Sequence, residues 1–118
     1  MFDHVNNDTA QILSVARHPD KVCIELDIRP DLVWFEGHFP ECPILPGVIQ
    51  THWAITYGCE HYDIRGQFKS LGNVKFMKVI VPGARVMLEL TFKRGKLVFR
   101  YLHDGAVCSQ GMAEFAAP

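Results

Sequence analysis

The stretch GHFPECPILPGVIQTHWAITYG, residues 37–58, joins a proline-rich loop to an apolar helix. Three prolines, spaced three residues apart, fix the backbone φ angle at three points and make the loop stiff. Proline is tolerated at the first helical position, so the helix is predicted to begin at Pro46 or Gly47. We expect it to run to about Gly58 and to fray towards Tyr62.

Apolar side chains are distributed almost all the way round this helix. They are Val48, Ile49, Trp53, Ala54, Ile55 and Tyr57. A helix with this pattern is typically buried on most sides. One sheet from a chain of this size leaves such a helix partly bare, so the pattern predicts a second subunit that covers it.

Extended segments lie on both sides of the helix, and the alternation of polarity is clear in residues 21–28 and 84–92 and mixed in residues 70–81. The segments cover residues 9–15, 21–28, 70–81, 84–92, 96–103 and 106–115. The alternation predicts strands with one buried and one solvated face, and the Asp104-Gly105 pair is typical of a tight type I′ hairpin turn. The predicted fold class is therefore α+β, an antiparallel sheet that curls about one helix.

Composition places residues 1–118 in a single globular domain, with 48% hydrophobic and 21% charged residues. The net charge of −1 gives no basic field, which disfavours nucleic acid as a partner. No apolar stretch approaches the ~20 residues that span a bilayer, and the first residues lack a signal-peptide pattern. The four scattered cysteines have no metal-ligand or redox spacing, which predicts reduced thiols in a cytoplasmic protein.

The start of the helix combines two groups that suit carbonyl chemistry. First-turn N–H groups lack intrahelical acceptors and point along the helix dipole, so the N–H of Gly47 is a candidate donor to a carbonyl or oxyanion. His38, held by the stiff loop, is a candidate base for the proton alpha to that carbonyl, because imidazole titrates near neutral pH. The alternative is that the GHFP segment merely turns the chain and that His38 packs against Phe39.

The same residues resemble the 3-hydroxyacyl-[acyl carrier protein] dehydratases of the hotdog fold. That family carries G-H-F-P-x-x-P-x-x-P-G-V, and residues 37–48 match it at each stated position. The passage VKFMKVIVPGARVMLELTF and the hairpin HDGAVCSQGMAEF are also similar to the family, so the resemblance runs from about residue 20 to the end. It implies a long sheet wrapped around a central helix, usually paired into dimers. It also implies loss of water from a 3-hydroxyacyl thioester to give the trans-2-enoyl product.

One position departs from the fatty-acid dehydratases, which carry a carboxylate five residues after the motif glycine. Here that residue is His52, and this is similar to a branch attached to aryl-polyene-type polyketide pathways. The resemblance implies that His38 is the base, that Gly47 and Val48 hold the thioester oxygen, and that His52 supplies the acid. The alternative for His52 is a core histidine bonded to a backbone carbonyl or to Thr56. A water or a partner-subunit group would then supply the acid.

The resemblance also implies partners and a carrier. The substrate travels on the phosphopantetheine of an acyl carrier protein, and we expect no metal and no other cofactor. Lys75, Lys78 and Arg85 are candidate contacts for that acidic carrier, with ordinary surface charges as the alternative. Trp34 and Phe35 either line an acyl tunnel or pack in the core. The expected assembly is a homodimer, or a heterodimer with a related hotdog subunit.

Two other functions stay open from the sequence. The missing helix carboxylate is compatible with a subunit that binds an acyl chain, or one that works only with a partner. Hotdog thioesterases usually activate water with a carboxylate on the central helix, and this helix has none before Glu60. A thioesterase is therefore the least favoured of the three functions.

Overall fold

One six-stranded antiparallel sheet and one long helix make up the computed structural model, which describes residues 7–36 and 43–118. The strands are β1 (Gln11–Arg17), β2 (Val22–Asp27), β3 (Phe68–Phe76), β4 (Arg85–Lys93), β5 (Lys96–His103) and β6 (Ala106–Phe115). The helix α1 spans Gly47–Tyr62, and a short 3-10 helix spans Val33–Phe35. The predicted α+β class is confirmed, and the helix packs on the sheet as the hotdog resemblance implies.

The strand order β1-β2-β4-β5-β6-β3 leaves β1 and β3 at the edges of the sheet. The two hairpin turns, between β4 and β5 and between β5 and β6, each have two consecutive residues with positive φ, which is the type I′ geometry. Their φ angles are 50° at Asp104 and 80° at Gly105, and 55° at Arg94 and 75° at Gly95. The hairpin that the Asp104-Gly105 pair predicts is therefore confirmed.

The inner faces of the central strands form the core beneath α1. The fully or almost fully buried side chains there are Val22, Ile24, Leu26, Val86, Leu88, Leu90, Leu97, Phe99 and Tyr101. They alternate with exposed or half-buried positions along each strand, because successive side chains of a strand point to opposite faces. The alternation in the sequence thus identifies the buried face correctly.

The helix continues through Gly58 and ends at Tyr62, where Asp63 adopts a left-handed conformation with φ of 50°. Gly58 does not end the helix, because its role is in packing. A Cβ atom at this position would lie 2.3 Å from a methyl carbon of the buried Leu97. The absence of a side chain at Gly58 therefore allows α1 to approach β5 closely.

We expect Gly58→Ala to lower the free energy of unfolding by about 1–3 kcal/mol, because a methyl group there overpacks a fully buried contact. Urea denaturation followed by circular dichroism measures this change. Glu60→Ala, at an exposed position two residues further along the helix, is the matched control and should stay within about 0.5 kcal/mol of the wild type. Equal stability of the two variants would contradict the packing role of Gly58.

Within a single chain, α1 has one face that the sheet does not cover. Val48, His52, Thr56 and Glu60 are exposed and follow one another at four-residue spacing, which places them in one stripe along the helix. Val48 is 73% exposed although it is apolar. The helix is buried or half-buried on its other sides, as predicted, and this stripe is the part that the single chain leaves open to another surface.

The edge strand β3 also exposes apolar side chains. Phe68 and Leu71 on the strand, Phe76 at its end and Val79 just after it are all exposed. An exposed apolar edge strand is a template for pairing with another chain.

No helix within the described residues is long and apolar enough to cross a membrane.

Candidate active site at the start of the central helix

The first turn of α1 offers two backbone donors that the described protein does not use. The N–H groups of Ile49 and Gln50 bond to the Pro46 carbonyl at 3.1 and 3.2 Å. The N–H groups of Gly47 and Val48 have no acceptor among the described residues, and no side chain caps this end of the helix. The Gly47 N–H, the predicted donor, therefore makes no hydrogen bond to those residues, and it lies at the positive end of the helix dipole.

A cavity of about 360 Å³ opens beside these donors. Gly47 lines it from the helix, Ile44 lines it from the preceding segment, and Phe76, Met77 and Lys78 line it from the end of β3. The N–H groups of Met77 and Lys78 both bond to the Cys108 carbonyl, at 2.8 and 3.0 Å. These two bonds hold the chain after β3 against β6 and so place Lys78 at the cavity.

Gly47 lies against an aromatic ring. A Cβ atom at this position would lie 2.6 Å from the Phe76 Cζ atom. A glycine here lets a ligand approach the helix backbone closely. It also leaves room for the Phe76 side chain, which occupies the space that a larger residue would take. The Phe76 ring is 52% exposed, so it is free to move where the buried Leu97 beside Gly58 is not.

We expect Gly47→Ala to change the free energy of unfolding by less than about 1 kcal/mol but to lower kcat/KM at least ~10-fold. The ring of Phe76 swings towards solvent at little cost, yet the methyl group then narrows the cavity beside the free amides. Thermal denaturation and steady-state kinetics on the same preparation measure both effects. An unchanged kcat/KM would show that this cavity does not take part in the reaction.

A buried polar network, which was not predicted from the sequence, lies directly behind the first turn of the helix. Gln50 is only 3% exposed, and its side-chain amide bonds the Leu45 carbonyl at 3.0 Å. The Ser109 hydroxyl donates to Gln50 Oε1 at 2.6 Å, and the Tyr101 hydroxyl donates to the Gln50 carbonyl at 2.7 Å. The signal in the sequence is a glutamine on the same helix face as Trp53 and Ala54, where an apolar residue is the norm.

Burial also sets the protonation of nearby groups. It raises the pKa of the Tyr101 hydroxyl well above its usual value, so the group remains a hydrogen-bond donor. Burial raises the pKa of the Cys108 thiol as well, although the Lys78 ammonium group opposes this. The pKa values of Cys23 and Cys59 are raised mainly for the same reason. These protonated thiols are poor nucleophiles.

His52 lies on the exposed stripe of α1, about 7.5 Å along the helix axis from Gly47 at 1.5 Å per residue. The Thr56 hydroxyl donates to the His52 backbone carbonyl at 2.9 Å and does not bond to its ring. Among the described residues the imidazole has no hydrogen-bond partner. The alternative in which His52 is a core histidine is wrong for the single chain, and the imidazole is available to a substrate or a partner.

The three cationic candidates lie in different places. Lys78 lines the cavity beside Gly47, and Lys75 is exposed on β3 three residues before it. Arg85 begins β4 opposite Asp27 and lines a separate hollow that also contains Glu25. The structure therefore brings Lys78 to the helix start but does not bring Arg85 there.

Trp34 and Phe35 belong to the short 3-10 helix and pack partly buried against the core. The indole N–H of Trp34 donates to the Asp8 carbonyl at 2.7 Å, and that of Trp53 donates to the same oxygen at 3.2 Å. Neither Trp34 nor Phe35 lines the cavity beside Gly47. The core-packing alternative therefore describes their contacts.

His38, the predicted base, falls in residues 37–42, outside the described residues, so its role stays a prediction.

Two larger hollows, of about 430 and 660 Å³, lie at the other end of α1, around Arg65 and around His18. They contain no free helix-start donor. Among the described residues, no group of three or more histidine, cysteine, aspartate or glutamate side chains is placed to hold a metal ion.

An antiparallel sheet packed on one long central helix is the architecture of a hotdog-fold protein. A family model for the ApeI dehydratase, named ApeI-like, matches residues 14–112. The chain therefore belongs to the ApeI-like dehydratase family, which supports a dehydratase, that is a lyase, as its reaction class.

Solved structures agree with this assignment. The dehydratase heterocomplex ApeI:P from Xenorhabdus doucetiae is similar, with 30% sequence identity, a TM-score of 0.85, and coverage of 92% of this chain and 99% of that chain. An uncharacterized protein from Erwinia carotovora subsp. atroseptica is also 30% identical, with a TM-score of 0.80 and coverage of 92% and 96%. The dehydratase domain of the polyketide PpsC from Mycobacterium tuberculosis shares the fold alone, at 16% identity, a TM-score of 0.72, and coverage of 91% and 44%.

Proposed function

We propose that the protein removes water from 3-hydroxyacyl thioesters carried on an acyl carrier protein and yields trans-2-enoyl thioesters. The reaction would serve a polyketide, aryl-polyene or fatty-acid-type synthesis. The observation that carries this proposal is the pair of N–H groups of Gly47 and Val48, which have no acceptor among the described residues and lie at the positive end of α1 beside an apolar cavity. Such donors stabilise negative charge that develops on a carbonyl oxygen in the transition state.

In the proposed mechanism, His38 removes the proton from the carbon next to the thioester carbonyl. The electron pair of the broken C–H bond moves towards the carbonyl oxygen, which the N–H groups of Gly47 and Val48 receive. The C–O bond at carbon 3 then breaks, His52 donates a proton to the departing hydroxyl, and water leaves. Because this elimination is redox-neutral and needs only a base, an acid and oxyanion donors, we propose that it requires no cofactor.

The carrier protein is proposed to approach over the end of β3. Lys78 lines the cavity and Lys75 is exposed nearby, so two cations lie where a phosphopantetheine arm would enter. Charges at the rim of a docking surface mainly raise the association rate with an acidic partner. Arg85 lies opposite Asp27, away from this entrance, and remains a weaker candidate.

A second hotdog subunit is proposed to cover the exposed stripe of α1 and the edge strand β3. Val48 and Phe76 are 73% and 52% exposed in the single chain, and both lie at the same end of the molecule as Gly47. The partner is either a second copy or a related subunit. The heterocomplex formed by the Xenorhabdus relative favours a second candidate function, a subunit that is active only with a related partner.

The thioesterase function is disfavoured by distance as well as by sequence. Glu60 is the one carboxylate on α1, and it is exposed near the C-terminal end of the helix. It lies about 20 Å along the helix axis from Gly47 at 1.5 Å per residue. A carboxylate at that distance does not activate water at the cavity.

The proposal is tested by incubating the protein with a 3-hydroxyacyl thioester on a carrier protein and following the ultraviolet absorbance of the enoyl product. Turnover by the protein alone supports the proposal with a homo-oligomer. Turnover only after a related hotdog subunit is added supports the partner-dependent function. Release of free thiol without enoyl product would instead indicate a thioesterase, and the absence of all three would contradict an enzymatic role.

A further inference from the structure

Gln50 makes three hydrogen bonds that connect three separate parts of the chain. Its side-chain N–H donates to Leu45 in the segment before α1, and its Oε1 accepts from Ser109 on β6. Its backbone carbonyl accepts from Tyr101 on β5. Gln50 is 3% exposed, and Ser109 and Tyr101 are fully buried, so these polar groups are shielded from water.

This network lies in the buried interior, where polar groups are costly unless they are paired. A buried polar group without a partner costs about 1–3 kcal/mol, so a network of this kind is stable only when its members are satisfied. Each side-chain oxygen and nitrogen that takes part here has a partner at 3.0 Å or less. A satisfied network of this kind fixes the relative position of the parts that it connects.

The network around Gln50 fixes the position of the Gly47 and Val48 N–H groups. Leu45 lies two residues before Gly47, and its N–H also bonds to the Ile80 carbonyl at 2.8 Å. Leu45 is thus held from both sides, by Gln50 through its carbonyl and by Ile80 through its N–H. No side chain among the described residues caps the helix start and so orients it in another way. Gln50 also lines the cavity into which Gly47 opens.

We propose that Gln50, supported by Ser109 and Tyr101, is a positioning residue that aims the Gly47 N–H at the thioester oxygen. This inference rests on the proposed function, in which Gly47 is an oxyanion donor. Gln50 does not touch the reacting atoms, and it acts by holding the segment from Leu45 to Gly47 at a fixed angle to the sheet. A displacement of about 1 Å in such a donor costs up to about 10²-fold in rate.

Gln50→Met keeps the volume of the side chain and removes its hydrogen bonds. We expect kcat and kcat/KM to fall together by about 10- to 100-fold, because the lost alignment matters mainly in the transition state. The stability-matched control is Gly58→Ala, which also destabilises α1 but at its packing on Leu97. It should keep kcat within about 2-fold of the wild type, and an equal loss of kcat in both variants would overturn the positioning role.

The variants of a second matched pair each lack one tyrosine hydroxyl group. One of these hydroxyl groups contacts the first turn of α1, and the other belongs to the last residue of α1. Tyr101→Phe removes the bond to the Gln50 carbonyl at 2.7 Å, whereas Tyr62→Phe removes an equivalent bond to the Leu90 carbonyl at 2.9 Å. Both should cost about 0.5–1.5 kcal/mol of stability. Only Tyr101→Phe is expected to lower kcat, and equal activity of the two variants would contradict the inference.

Gln50→Glu tests the network through pH. A protonated carboxyl group donates to Leu45 and accepts from Ser109 as the amide does, whereas a carboxylate has no proton to donate. Burial raises the pKa of such a carboxyl group. We therefore expect the ratio of its kcat to that of the wild type to rise as the pH is lowered, while the ratio for Tyr62→Phe stays flat. A flat ratio for Gln50→Glu would contradict the positioning role.

A measurement on the backbone separates this inference from the proposed function. The NMR order parameter of the Gly47 N–H should be near 0.85 in the wild type and should fall towards about 0.6 in Gln50→Met, with no such change in Gly58→Ala. An inactive wild type with this pattern would overturn the proposed function but retain the alignment of the amide. An active wild type with an unchanged order parameter and unchanged kcat in Gln50→Met would overturn the inference alone.

Discussion

His38→Ala is expected to lower kcat for formation of the enoyl product by about 10²- to 10⁴-fold. In the proposed mechanism the imidazole of His38 is the group that takes the proton from the substrate, and alanine has no basic atom to replace it. The free amides of Gly47 and Val48 remain in this variant, so a small residual rate is expected from oxyanion stabilisation alone. Initial rates from the ultraviolet absorbance of the product measure the loss.

The control for this prediction is His18→Ala, which removes an exposed histidine from the turn between β1 and β2. His18 lies at the hollow at the far end of α1, so its loss should leave kcat unchanged. Circular dichroism and the oligomeric state of both variants should match the wild type. Full activity in His38→Ala would reject the proposed base and, with it, the mechanism.

The sequence predicts the elements well where local rules decide them. The helix begins at Gly47 because proline stops the preceding backbone from being helical and suits the first turn. The strands β4, β5 and β6 follow the alternation of their side chains and the two glycine-containing turns. These rules involve residues that are neighbours in the chain, so the sequence alone is sufficient to apply them.

The side chains around the site are less predictable, because distant residues decide their environment. The sequence places apolar side chains almost all the way round α1. Nevertheless, the apolar Val48 is 73% exposed and the polar Gln50 is only 3% exposed. Gln50 is buried because Ser109, 59 residues away in the chain, and Tyr101 satisfy its polar groups. The helical pattern shows which residues share a face, but it does not show which face the sheet covers.

His52→Ala is expected to lower kcat by at least ~10²-fold, because the departing hydroxyl loses its proton donor. His52 is exposed in the single chain and makes no side-chain hydrogen bond to the described residues, so its removal should change the stability of that chain by less than about 0.5 kcal/mol. A large loss of rate with an unchanged fold therefore reports on chemistry. Steady-state kinetics and urea denaturation of the same samples measure the two quantities.

Two further variants distinguish proton donation from a contact with a partner subunit. His52→Glu places a carboxyl group where the resembling fatty-acid dehydratases carry their carboxylate, and it should recover part of the rate that His52→Ala loses. His103→Ala removes another histidine, at the end of β5, and should leave kcat unchanged. If His52→Ala keeps the wild-type rate, a water or a partner group donates the proton. If His52→Ala loses activity only because the subunits separate, sedimentation will show the loss of the oligomer, and His52 is then an interface residue.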